Sequence, residues 1–158
     1  MATSTLIQYL ETSQVTGLGV SVPVGAGAMN RSQTETFLAS SAITAGDFVS
    51  LDTTKTGADK ALFVGVVDTS AGAVALGVPT VGVALRDAAI GEKVDVCIAG
   101  FCAVANVATG TAAGVAVALD ITVSGRATTA DAANVNIAAI CLTLAAANKA
   151  EVMVLKRF

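Results

Sequence analysis

Lys93–Ile98 reads KVDVCI: Val94, Val96 and Ile98 fall on one side of an extended chain, Lys93, Asp95 and Cys97 on the other. Alternation with period two, carried by β-branched residues, is the mark of a strand with one buried face. The next stretch, GFCAVANV (Gly100–Val107), follows directly after Ala99 and predicts a bend or hairpin at Gly100. Upstream, PTVGVAL (Pro79–Leu85) and ALFVGVV (Ala61–Val67) are further short apolar runs, the second preceded by the polar turn DTTKTGADK (Asp52–Lys60). In AGDFVSLD (Ala45–Asp52), Val49 and Leu51 share a face. β-branched residues are dense and glycines recur inside the runs, both unfavourable to helix. From Thr36 onward the chain reads as β.

The pattern then repeats. AGDFVSLD (Ala45–Asp52) is echoed by AGVAVALD (Ala113–Asp120), and VGVALRDAAIGEKVDVCI (Val81–Ile98) by AAICLTLAAANKAEVMVL (Ala138–Leu155). Val152 and Val154 are expected where Val94 and Val96 stand, given a one-residue insertion. Self-similarity of this kind predicts duplicated β units around a shared core, spanning roughly 43–106 and 111–158. The Ala-rich stretch Asp131–Lys149 has helix-like composition and an Asp at its start. The repeat reads it as strand, turn, strand. The expected fold class is therefore all-β: a compact barrel- or sandwich-like core of two related units.

Residues 1–35 differ from this core domain, 36–158. They are rich in Thr, Ser, Gly and Gln, without sustained periodicity, and VSVPV (Val20–Val24) carries a proline that suits an extended or edge segment. The segment reads as an extended N-terminal arm. Leu6, Tyr9 and Leu10, with Phe158 at the other terminus, are the candidate apolar anchors for subunit or partner contacts.

Composition narrows the function. Hydrophobic residues make up 54% of the 158-residue chain and charged ones 13%, against roughly 25% charged in an ordinary soluble domain. Nine basic and twelve acidic residues leave a net charge of −3, which argues against binding nucleic acid through clustered Lys and Arg. With no histidine, Ser-His-Asp and Cys-His hydrolases and His-bearing zinc sites are excluded. The charge-free stretch Val96–Leu119 is long enough to span a bilayer. It is broken by Gly100, Asn106, Gly110 and Gly114 and is nearly free of Leu, Ile and Phe, so no membrane segment is expected. The cysteines, Cys97, Cys102 and Cys141, lie in apolar runs and form no CxxC pair, which reads as buried, reduced thiols. Charge-poor, aliphatic surfaces of this kind are usually covered by another copy or a partner.

The candidate carboxylates for chemistry are Glu35, Asp47, Asp52, Asp68, Asp87, Glu92, Asp95, Asp120, Asp131 and Glu151. Most fall in predicted turns, where Asp bonds its own backbone. Asp52 and Asp120 close matching strands and could pair, but turn chemistry is the simpler account. No nucleophile with an activating base is present, no phosphate loop, and no cofactor or metal ligand set.

ITAGDFVSL (Ile43–Leu51), GVAL (Gly82–Leu85), AAIGEKVDV (Ala88–Val96) and GFCAV (Gly100–Val104) together resemble the tailed-phage capsid cement, or head-decoration, proteins across residues 40–106. The second half joins the resemblance only through the internal repeat, and residues 1–35 match no part of it. The resemblance implies a β-rich, non-enzymatic structural protein, commonly a homotrimer. It would sit on the outer surface of an icosahedral head and clamp neighbouring major capsid subunits. Self and the major capsid protein are the expected partners, and the virion surface the expected location. The alternative is a virion fibre or adhesin module binding a host glycan, for which one Tyr and no Trp supply little stacking surface.

Overall fold

The structure, a computed structural model, describes residues 32–66, 80–120, 122–130 and 137–155. These form nine strands: β1 (Gln33–Ala39), β2 (Phe48–Leu51), β3 (Phe63–Val66), β4 (Thr80–Ala84), β5 (Lys93–Asn106), β6 (Ala116–Leu119), β7 (Ala127–Thr129), β8 (Ile137–Cys141) and β9 (Lys149–Val154). A short 3-10 helix at Gly57–Ala61 sits in the loop before β3. The all-β expectation holds: no α-helix occurs among the described residues. Over its described residues, 137–149, the Ala-rich stretch gives a strand, a turn and the start of a second strand, as the repeat requires.

The strands run β1-β3-β2-β4-β5 and then β9-β8-β6-β7, and β1 also pairs with β5, closing a five-stranded barrel. The second half repeats that plan. β6 pairs antiparallel with β7 and β8, and β8 with β9, as β2 pairs with β3 and β4, and β4 with β5. The C-terminal part of β5 plays for β9 the part that β1 plays for β5. Even the one parallel contact recurs: β1 with β3 in the first half, Val107 with Ala127 in the second. β-bulges fall at equivalent places, between Val49 and Ser50 and between Val117 and Ala118. Gly46 and Gly114, both at positive φ, donate from N–H to the carbonyls of Ala84 and Cys141.

Of the two alternatives expected at Gly100, the structure has the bend and not the hairpin: a φ of 91° bends one continuous 14-residue strand, β5, which serves both halves. Two details differ from the sequence reading. Cys97 lies on the face opposite Val94 and Val96, as alternation requires, yet that face is not open. Phe48, Val83 and Cys97 form one row across β2, β4 and β5 and belong to the core of the second half. Val49, Val81, Val94, Val96 and Ile98 fill the first core from the other face. Three strands buried on both faces account for much of the apolar composition, since each fully buried Val or Phe contributes roughly 1.5–3 kcal/mol. Finally, Ala84 pairs with Val96, and Cys141 with Val152. Val152 and Val154 therefore match Val96 and Ile98, and the second copy has lost a residue where an insertion was expected. The shortening lies in the turn before β9, where Ala147 (φ 49°) and Asn148 (φ 59°) make a tight two-residue link between bonded Ala146 and Lys149.

Close packing inside the first barrel depends on Gly82. A Cβ there would lie 2.1 Å from the carbonyl oxygen of Cys97, so only glycine lets β4 come this near β5. Of the segment read as an arm, residues 1–31 lie outside the described residues, and β1 begins at Gln33.

Candidate functional site

The carboxylates do not converge into a shared site. Asp52, at the end of β2, accepts from the backbone N–H (3.0 Å) and the hydroxyl (2.6 Å) of Thr54. Asp120, at the end of β6, does the same with Thr122 at 2.8 and 2.6 Å. Asp120 also binds Arg126, with Nη2 at 2.6 Å and Nε at 2.8 Å on the same oxygen. The Thr54 hydroxyl foremost, with the Lys55 charge adding to it, holds the Asp52 carboxyl below its ordinary value. Burial pushes Asp120 up, but the bonds from Thr122 and Arg126 outweigh it, and its carboxyl too lies low. Both aspartates are doing turn work.

The others are similarly placed. Glu92 accepts from the N–H of Ala89, and Asp87 from that of Ala45. Asp95 accepts from the Thr36 hydroxyl and pairs with Arg86 at 3.3 Å. Glu35 and Glu151 are exposed on β1 and β9. Asp68 and Asp131, like Leu6, Tyr9, Leu10 and Phe158, lie outside the described residues. Among the described residues no group of three His, Cys, Asp or Glu is placed to hold a metal ion.

The three thiols are free and buried. Cys102 Sγ donates to the Val104 carbonyl at 3.3 Å and Cys141 Sγ to that of Thr143 at 3.0 Å. The neighbouring Cys102 and then burial push the Cys97 thiol up, and burial does the same for Cys141. Such thiols pack as small hydrophobes.

Asp47 is the exception among the carboxylates. It is buried at the entry to β2, and its Oδ2 accepts from the N–H of Thr44 at 2.9 Å. Its Oδ1 accepts from the side-chain amide of Asn106, whose Oδ1 in turn accepts from Lys149 Nζ. Lys149 Nζ also donates to the carbonyl of Ala45 at 3.1 Å, and Asn106 N–H to that of Gly46 at 2.8 Å. Sequence reading did not single out Asn106 or Lys149. They stand 43 residues apart, and only the register of β5 on β9 makes them partners.

Part of the outward face of the second half is apolar, beside the exposed Glu151 and Lys149. Ile140, Met153 and Phe101 pair in one row across β8, β9 and β5, each half-buried. Leu85 and Leu142, exposed just past the equivalent strands β4 and β8, and Leu144 in the turn that follows add to the exposed apolar surface. An interaction surface, with no reacting group in it, is what these residues can form.

No protein-family profile and no curated protein matches the chain. Among solved structures, the fold is similar to the head fiber gp8.5 N base of bacteriophage phi29. The TM-score is 0.52 at 12% identity, covering 78% of this chain and 94% of that one.

Proposed function

We propose that the chain is a structural, non-enzymatic protein of a tailed-phage head, a cement or decoration protein on the outer surface of the capsid. The observation that carries the reading is the fold: almost the whole of a phage head-fiber base superimposes on it. The resemblance of residues 40–106 to head-decoration proteins, which rests on different evidence, points the same way. The major capsid protein is the partner, and a homotrimer the working form. A trimer touching several capsid subunits binds through linked contacts that are each modest, so no single high-affinity pocket is needed. The row Ile140–Met153–Phe101 and the exposed Leu142 and Leu144 supply apolar area for such contacts.

The test is co-sedimentation of the purified chain with heads that lack it, together with its mass by light scattering. Saturable binding by a trimer is expected, lost when Met153→Lys and Leu144→Asp are combined in a chain of unchanged circular dichroism. A monomer that does not bind such heads overturns the reading.

A second reading has its own support: the similar structure is a fiber base, so this chain would be the head-bound foot of a fiber whose tip meets the host. Binding to heads together with a separate, longer partner polypeptide would favour it. A glycan-binding surface on this chain itself draws little support from the described strands, where Phe101 is the one half-exposed aromatic of the outward apolar row.

A further inference from the structure

Lys149, Asn106 and Asp47 bring an amine, a carboxamide and a carboxylic acid into line where the two halves meet. Asn106 closes β5 and is the register partner of Lys149, which opens β9. Lys149 Nζ contacts Asn106 Oδ1, and Asn106 Nδ2 contacts Asp47 Oδ1. All three groups are held in position. Asp47 is fixed by the Thr44 N–H, Asn106 by its own N–H on Gly46, and Lys149 by the Ala45 carbonyl. Gly46 leaves the amine its place, since a Cβ there would lie 3.0 Å from Nζ.

We propose that this cluster closes itself covalently, joining Lys149 Nζ to Asn106 Cγ in an intramolecular isopeptide bond. The amine, having given its first proton to solvent on its exposed side, attacks Cγ, and a C–N bond forms as the carbonyl becomes tetrahedral. The carbonyl then re-forms and the Cγ–Nδ2 bond breaks. Asp47, in contact with Nδ2, receives the second proton, shed by the newly bonded nitrogen, and delivers it to the departing nitrogen, which leaves as ammonia. Nothing is oxidised or reduced, and Asp47 ends as it began. Aminolysis of a carboxamide is slow between free molecules. Holding the groups in contact raises their effective concentration, which in well-oriented intramolecular reactions reaches on the order of 10⁵ M or more. The exposed side of Lys149 gives the ammonia a route to solvent. The product ties β5 to β9 beside the entry to β2, a clasp at the seam of the two halves. This proposal does not depend on the capsid reading.

The experiment is the intact mass of the purified full-length chain, followed by proteolysis and fragment sequencing. The expected mass is short by one ammonia, with a branched peptide joining residue 149 to residue 106. Lys149→Arg and Asn106→Ala should each restore the full sequence mass. Asp47→Asn should remain largely uncrosslinked while keeping the wild-type circular dichroism. Full mass in the folded wild-type chain, with Lys149 open to amine acetylation, overturns the proposal. So does an ammonia loss that maps to an unbranched peptide, as a cyclised Asn106 would give. Complete crosslinking in Asp47→Asn overturns the part assigned to Asp47.

Discussion

Asp52 and Asp120 occupy equivalent positions in the two halves and make the same pair of hydrogen bonds, each to the N–H and hydroxyl of the threonine two residues on. The repeat is thus copied down to single turn contacts, and it has a consequence for acid stability. Both carboxyls are held below their ordinary value in the folded chain. On acidification the unfolded chain takes up these protons first, so the stabilisation is fully present above the ordinary carboxylate pKa, about 4. It is lost as the pH falls through the lower folded-state values. Urea midpoints measured across a pH series should show this loss below about pH 4. The double variant Asp52→Asn/Asp120→Asn should show a shallower decline.

The two aspartates should differ in weight. Asp120 is buried and bonded closely by Arg126, whereas Lys55 stands 4.0 Å from Asp52 and is itself more exposed. Removing one partner of a buried charge pair strands the other, while an exposed pair adds little. Asp120→Asn should cost about 2–3 kcal/mol and Asp52→Asn about 1 kcal/mol or less, read from denaturation midpoints at neutral pH.

The strand pattern was legible because it rests on local chemistry. AGDFVSLD and AGVAVALD each encode a glycine at positive φ, a short apolar strand and a terminal aspartate turn, and the structure keeps all three. Gly100 leaves bend and hairpin open because a glycine between two apolar runs looks alike whether it turns the chain back or bends a continuing strand. β1 was hard to see because QTET, its first four residues, is polar and exposed. The face occupied by Cys97 could not be judged from KVDVCI, since the second half that covers it lies far along the chain. The Asp47–Asn106–Lys149 cluster gave no signal for the same reason: β5–β9 register assembles it, and no motif does.

Gly82 is a point where only the absence of a side chain keeps the sheet together. In Gly82→Ala the new Cβ would meet main-chain atoms of Cys97, which cannot move without parting β4 from β5. A loss of about 3 kcal/mol or more, or failure to fold, is expected. Gly110→Ala is the control: its φ is 90° but nothing lies within 4 Å, so it should cost only about 1–2 kcal/mol. Equal effects of the two in denaturant titrations would contradict the close approach of the strands.

Ala147 offers the opposite change. It holds φ 49° in the tight turn before β9, a conformation that costs an L-residue roughly 1–2 kcal/mol. Glycine relieves that strain but gives the unfolded chain more freedom, worth about 0.4–1 kcal/mol. Ala147→Gly should therefore stabilise by about 0.5–1 kcal/mol, provided Asn148 keeps its bonds to Thr109. A raised urea midpoint with an unchanged slope is the expected result.

The last prediction concerns whether the two halves are separable. β5 supplies strands to both, and Phe48, Val83 and Cys97 of the first half lie in the core of the second. A half alone would expose that row and lose half of a shared strand, so neither half should fold by itself. Calorimetry on the intact chain should show one transition across residues 32–155, with calorimetric and van't Hoff enthalpies in agreement. Phe48→Ala, which empties a fully buried site at the seam, should lower stability by about 3–5 kcal/mol. It should still give one transition, because the residue bears on both halves together. Two resolved transitions in that variant would mean that each half carries a core sufficient for itself, and that the row across β2, β4 and β5 is only a contact between them.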